Sequence, residues 1–301
     1  MPEMSKSELD RIVHSIGDEL LARLKSEPGE KTNKTTSTDC GSEIETQTFS
    51  DTMNSLTPDG SHVHIPYPDW SPSEAGVANL IDHTLLRPDA TERDVRKICA
   101  EARHHGFAAV CVNPGWVSLV ARELRGSSVK TCTVVGFPQG ATLTPVKCAE
   151  AEQVIKLGAD EVDMVLSIGA LKSHEEDLVY TDIRCVAELV HSTHRILKVI
   201  LETSLLSNQE KVLACVLSKL AGADFVKTST GFGIPGANIH DVALMHSLVG
   251  GEVGIKAAGG ITTYSDLVQM MRAGATRIGS SSGVAIVTQA AEKFVVSKNR
   301  D

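Results

Sequence analysis

The chain has 301 residues, 42% of them hydrophobic and 4% aromatic, with a formal net charge of −9. An acidic chain with few aromatics and no basic run does not suit a nucleic-acid surface, and no stretch of about 18 apolar residues is present to span a membrane. The seven cysteines (40, 99, 111, 132, 148, 185 and 215) are odd in number and form no Cys-x-x-Cys pair. Buried, reduced thiols in a cytoplasmic setting are expected, not a disulfide framework or a zinc knuckle.

The first residues carry Glu3, Glu8 and Asp10 and lack an apolar core segment, which speaks against a signal peptide or an acid-poor transit peptide. Within residues 1–27, Leu9, Ile12, Val13, Ile16, Leu20, Leu21 and Leu24 fall at helical spacing, so an amphipathic helix is predicted. Residues 28–64 are rich in Thr, Ser, Asp, Glu and Asn; such a segment buries too little apolar surface to offset its ordering entropy and reads as a disordered linker. From residue 65 to 301 the pattern is globular. Ser71-Pro72-Ser73-Glu74 is a capping box with proline at the first helical position, which predicts a helix to about Leu80.

Thereafter one unit recurs: a helical stretch, a glycine, one or two small or polar residues, and a short apolar strand. Gly106, Gly158, Gly222 and Gly274 each open such a unit, as glycine caps feeding strands do. With Ile81–Leu85, Lys130–Val135, Lys198–Leu201 and Val253–Ala257 this makes eight strands. Helical patterns follow them near 91–105, 115–125, 144–157, 169–191, 207–221, 238–248, 263–273 and 282–297. Alternating strands and helices mean a parallel sheet, and eight units predict an α/β fold of the closed (β/α)8, or TIM, barrel type. The alternative, an open doubly wound sheet, would carry a glycine-rich fingerprint after the first strand; Asp82-His83-Thr84-Leu85-Leu86-Arg87 is not one.

In a barrel of this kind the C-terminal strand ends carry the chemistry. Three charged residues lie inside or at the end of apolar strands: Asp163, Lys227 and Lys256. Lysine is rarely buried without a partner or a purpose. One such lysine alone reads equally well as a salt-bridged or snorkelling side chain; two on adjacent strands with a nearby carboxylate do not. Two ammonium groups ~5 Å apart at an effective dielectric of ~20 repel by ~3 kcal/mol, enough to bring one of them from ~10.4 toward ~8. A partly neutral amine attacks a carbonyl, and the resulting iminium accepts electrons from a breaking bond. Asp163 could then shuttle protons.

Ala258-Gly259-Gly260 follows strand 7, and Gly279-Ser280-Ser281-Ser282-Gly283 follows strand 8 and opens a helix. Loops in these two positions are the usual phosphate site of the fold, through backbone N–H groups; tight strand-to-helix turns are the plainer reading. Thr230 and Gly231 follow strand 6 and are placed beside the substrate. Asp82 is placed to orient the lysines, Cys111 to line the pocket, and Glu202 to support the lysines electrostatically. His83 reads as structural. The remaining histidines show no metal-binding spacing, so no metal is expected.

These residues fall in stretches that resemble the deoxyribose-phosphate aldolase family of class I aldolases. The likeness runs from about Ile81 to Val296 and includes Ile81-Asp82-His83-Thr84-Leu85-Leu86, Gly136-Phe137-Pro138-Gln139-Gly140 and Gly158–Val165. It continues through Lys198–Thr203, Phe225-Val226-Lys227-Thr228-Ser229-Thr230-Gly231-Phe232 and Ile255–Ile261. The pairing of Lys-Thr-Ser-Thr-Gly with the later Lys-x-x-Gly-Gly is highly specific. The resemblance implies reversible cleavage of 2-deoxy-D-ribose 5-phosphate to acetaldehyde and D-glyceraldehyde 3-phosphate, in deoxyribonucleoside catabolism, without metal or organic cofactor. It implies Lys227 as the Schiff-base former, Lys256 as the lysine that tunes it, Asp163 as the proton relay, and Gly260, Ser281 and Ser282 as phosphate ligands. It also implies a dimer or tetramer. Two departures stand out: Ala257 replaces the proline common after the second lysine, and the last residues, Ser297–Asp301, hold no tyrosine of the kind that reaches the site in some members. Another lyase or isomerase, or a barrel that only binds a sugar phosphate, would share the glycine loops but form no imine.

Overall fold

The computed structural model describes residues 77–233 and 235–298, with side chains described as far as residue 293. The amphipathic helix and linker expected before residue 65, and most of the helix expected from Ser71, lie outside these residues. Of the latter, Ala78–Leu80 forms a single 3-10 turn.

Eight parallel strands close into a barrel in sequence order. They are β1 (Ile81–Leu85), β2 (Ala109–Val112), β3 (Lys130–Val135), β4 (Glu161–Val165), β5 (Ile196–Ile200), β6 (Phe225–Lys227), β7 (Gly254–Ala258) and β8 (Arg277–Ser280). The closing pair joins Asp82 of β1 to Gly279 of β8. The outer helices are α1 (Glu92–His105), α2 (Val117–Glu123), α3 (Thr144–Lys156), α4 (Ile168–Lys172), α5 (Glu176–His191), α6 (Asn208–Leu220), α7 (Ile239–Val249), α8 (Tyr264–Arg272) and α9 (Gly283–Lys298). The single helix expected over 169–191 is two, α4 and α5, parted at Ser173-His174-Glu175 where His174 takes φ +55.

Local chemistry explains the boundaries. Thr91, Ser207 and Thr263 each cap a helix and receive a carboxylate three residues on, as full capping boxes. Gly106, Gly158, Gly222 and Gly274 all take positive φ, from +70° to +108°. That is the left-handed turn that ends a helix and aims the chain into the next strand.

Alternation along the strands gives the barrel two interiors. One face of each strand joins the main core between sheet and helices, with Ile81, Val110, Val162, Val199, Val226, Ile255 and Ile278 all buried there. Each such side chain contributes ~1.5–3 kcal/mol. The other face fills the lumen. On the β2–β3 side the lumen is apolar, built from Ala109, Cys111, Cys132 and Val134 with Leu86 just past β1. Across from it the lumen is charged.

One expectation is corrected in the outer layer. Cys148 of α3 and Cys185 of α5 form a disulfide, with Cα atoms 6.7 Å apart. Their separation of 37 residues hid the contact, which exists because α3 and α5 pack side by side. The same helix pair is tied by a buried Lys147–Asp182 salt bridge at 2.5 Å. Cys99, Cys111, Cys132 and Cys215 are free and buried. Among the described residues no helix is long and apolar enough to cross a membrane.

Candidate active site

Asp163 stands third in β4, Lys227 ends β6 and Lys256 is third in β7. Sheet register sets Lys227 beside Lys256 and Asp163 beside Lys198. The three residues picked from the strands therefore converge. Asp163 Oδ2 accepts from Lys227 Nζ at 2.9 Å and from Lys256 Nζ at 2.7 Å. Its other oxygen, Oδ1, accepts from Lys198 Nζ at 2.8 Å.

Beneath Asp163 lies a second tier. Asp82 Oδ2 meets Lys256 Nζ at 2.5 Å, and Asp82 Oδ1 accepts from Arg277 Nη1 at 2.7 Å. Glu161 Oε2 meets Lys198 Nζ at 2.6 Å and Arg277 Nη1 at 3.0 Å. Arg277 also lies over the Phe225 ring at 5.3 Å. Four cations and three carboxylates thus share the charged side of the lumen. Lys198 meets Glu161 and Asp163 closely and Asp82 at 3.8 Å, Lys256 meets Asp82 and Asp163, and among the described residues Lys227 meets only Asp163.

The electrostatics follow from this packing. Burial alone would raise the Asp163 carboxyl, but Lys198, Lys227 and Lys256 hold it well below the usual carboxylate range. Asp82 is lowered too: burial opposes ionisation, and Lys256, Lys198 and Arg277 outweigh it. For Lys256, burial disfavours the ammonium, yet Asp163 and Asp82 keep it above its ordinary value. The expectation of bare repulsion between two lysines therefore needs correcting, because a shared carboxylate oxygen lies between them.

Above this floor opens a cavity of about 400 Å³. Lys227, Thr230, Gly231, Gly259, Gly260, Gly279 and Ser281 line it, together with Leu85, Leu86 and Phe232. Gly259 and Gly260, in the cavity wall, take φ +93° and +78°, a backbone conformation that favours glycine. At Gly279 a Cβ would lie 2.9 Å from Ala258 Cβ and 3.1 Å from Lys256 Cε, so only glycine leaves room for the lysine stem. Ser282 sits apart from this cavity, in a groove between α1 and α9, and its N–H donates to Ser280 Oγ at 2.9 Å. Asp82 and Cys111 are buried below the cavity and do not line its wall. Glu202 contacts Thr230 and none of the lysines. His83 faces outward and pairs with Glu101 of α1 at 2.7 Å.

Cys111, Cys132 and Asp163 present ligand atoms within 4.8 Å of one another, as do Asp82, Cys132 and Glu161. These sets do not suit a metal. Their carboxylates already hold ammonium or guanidinium groups, and Lys198 Nζ lies 3.4 Å from Cys132 Sγ, where a metal cation would have to sit.

A family model described as DeoC/LacD family aldolase matches residues 77–289, all eight strands and the first part of α9. The chain belongs to the DeoC/LacD aldolase family. A deoxyribose-phosphate aldolase of Streptococcus gordonii is 56% identical over 207 residues, covering 69% of this chain and 93% of the relative. A crystal structure of a Coccidioides immitis protein, assigned as a deoxyribose-phosphate aldolase, superposes with TM-score 0.73 at 42% identity, covering 83% of this chain and 97% of that one. The deoxyribose phosphate aldolase of Aeropyrum pernix, described as tetrameric, gives TM-score 0.68 at 36% identity, covering 72% and 92%.

Within this family barrel, reasoning from sequence singled out Asp163, Lys227 and Lys256 but missed Lys198, Glu161 and Arg277. A signal for one of them was present: Glu161 precedes Asp163 by two positions, so both point to the same side of β4.

Proposed function

We propose that the chain catalyses reversible cleavage of 2-deoxy-D-ribose 5-phosphate to acetaldehyde and D-glyceraldehyde 3-phosphate through an imine on Lys227. The observation that carries this reading is the placing of Lys227 Nζ 2.9 Å from Asp163 Oδ2 at the floor of a cavity walled by Gly259, Gly260 and Ser281. The Lys227 amine adds to C1 of the open-chain aldehyde, and loss of water leaves an iminium. The C3 hydroxyl then gives up its proton and the C2–C3 bond breaks. Its electron pair flows into the iminium, releasing glyceraldehyde 3-phosphate and an enamine. Protonation at C2 and hydrolysis return acetaldehyde and the free amine.

Asp163 is suited to carry these protons, since its Oδ2 touches both Lys227 and Lys256. Lys256 keeps a positive charge beside the reacting nitrogen and can return a proton. The phosphate fits the backbone of Gly259, Gly260 and Ser281, close to the start of α9, where N–H groups favour an anion. Residues 65–301 form the catalytic domain in this reading. Leu143, Val146 and Leu157, exposed on and beside α3, together with the tetrameric relative, support a homo-oligomer.

The test is reductive trapping. Incubation with acetaldehyde and borohydride should leave an N-ethyl group on Lys227, located by peptide mass spectrometry. An unlabelled Lys227, or full cleavage activity in Lys227→Ala, would sink the proposal.

A further inference from the structure

Three non-glycine residues among those described have positive φ: His174, His194 and Glu202. The two histidines are exposed in helix-end turns. Glu202 is 4% exposed, just past β5, at φ +54 and ψ +61. A glutamate in the left-handed region is strained, and asparagine or glycine would relieve it. The strain places its carboxylate under the loop that follows β6.

There Glu202 Oε2 accepts the Thr230 N–H at 3.2 Å and also the Thr230 hydroxyl. Thr230 Oγ1 in turn accepts the Phe232 N–H at 3.1 Å. One carboxylate thus fixes the turn Thr230-Gly231-Phe232, in which Gly231 takes φ +88°. All three residues of the turn line the cavity above Lys227. Among the described residues no cation pairs with Glu202, and its Oε1 is buried without a hydrogen-bond partner, near Gly233. A buried, unneutralised carboxylate is costly, and here the donors of this turn are what hold it.

We infer that Glu202 is a positioning residue for substrate recognition: through Thr230 it sets the wall formed by residues 230–232 against the sugar-phosphate half of the substrate. This rests on the reading of the cavity given above. Glu202 touches neither the lysines nor Asp163, so its effect falls on the binding of the full substrate, not on imine formation.

Glu202→Gln keeps shape and one acceptor but removes the charge that strengthens both bonds from Thr230. The expected result is a KM for deoxyribose 5-phosphate raised by about tenfold, with kcat changed by less than about threefold. Borohydride trapping of acetaldehyde on Lys227 should proceed at the wild-type rate. Thr230→Val should give the same split, and the double variant should be no worse than the more affected single one, because both remove one interaction. An unchanged KM in Glu202→Gln, or fully additive effects in the double variant, overturns the inference. So does equal loss of KM-independent turnover and of acetaldehyde trapping. If Glu202→Gln does not fold, Thr230→Val decides alone, and a wild-type KM there overturns the inference. Absence of trapping and cleavage in the wild-type protein would instead count against the aldolase reading itself.

Discussion

Lys227 and Lys256 donate to the same oxygen atom, Asp163 Oδ2, at 2.9 and 2.7 Å. A third lysine, Lys198, takes the other oxygen of that carboxylate. Lys227 is therefore one corner of a network spread over β1, β4, β5, β6, β7 and β8, and perturbing any corner should be felt at the others.

Asp163→Asn removes the one negative charge that three lysines share. Turnover should fall by about 10²–10⁴, and the fold should lose about 3–5 kcal/mol because the buried Lys227 ammonium is left without a carboxylate while Lys198 and Lys256 keep only Glu161 and Asp82. Steady-state kinetics and chemical denaturation measure the two losses. A stable, fully active variant would contradict the arrangement.

Lys256→Leu takes from Asp82 Oδ2 its 2.5 Å cation and leaves Asp163 Oδ2 with Lys227 alone. Cleavage should drop by at least about 10², and Lys256→Arg should not restore it. The larger guanidinium would have to fit where Lys256 Cε already lies 3.1 Å from the Cβ position of Gly279. Recovery of most activity by arginine would show that charge alone, without position, is what matters there.

The network also sets how stability depends on pH. The Asp82 and Asp163 carboxyls titrate lower in the folded chain than when unfolded. They therefore stabilise the fold above about pH 4, and that contribution is lost as pH falls through their folded values. Lys198 and Lys256 titrate higher in the folded chain, so their contribution is complete below about pH 10 and is lost as pH rises through their folded values. Thermal midpoints should be nearly level across the neutral range and fall in acid below about pH 4. A fall centred between pH 6 and 7 would point to histidine instead.

Gly279→Ala should cost about 1–3 kcal/mol through overpacking against Ala258 and Lys256, and should lower activity because the Lys256 stem must move. Calorimetry and kinetics on one preparation would separate the two effects. An alanine variant with unchanged melting and turnover would show that the strand pair has slack.

Removal of residues 1–60 should leave turnover intact, since the matched family segment begins at residue 77. A large loss would assign that segment a part in the site or in assembly.

The barrel was legible in sequence because each glycine-capped helix feeds an apolar strand, a unit repeated with little variation. Lys227, Lys256 and Asp163 were legible for a related reason: each is a charge inside an apolar run. Lys198 was not, because the strand was expected to begin at that residue, where a charge ordinarily meets solvent. The strand begins at Ile196, so Lys198 sits in its middle. Glu161 and Arg277 are the first residues of their strands. What buries them is closure of the barrel around them, which no local pattern encodes. Glu202 was expected to act on the lysines; its left-handed backbone, invisible in sequence, turns it toward Thr230.

Arg277 and Asp82 are 195 positions apart, and their bond crosses the seam where the last strand meets the first. During synthesis, then, Asp82, Asp163, Lys227 and Lys256 all leave the ribosome before the strand that completes their surroundings. An unfinished chain lacks both the guanidinium and the final glycine loop. Such a nascent barrel would have Lys227 but neither the Arg277 that completes its floor nor the Gly279–Ser281 wall of its cavity, and a competent site would form only once translation is nearly done. Ribosome-stalled chains ending before Arg277 should accordingly show no cleavage activity, and chains extended past α9 should show it.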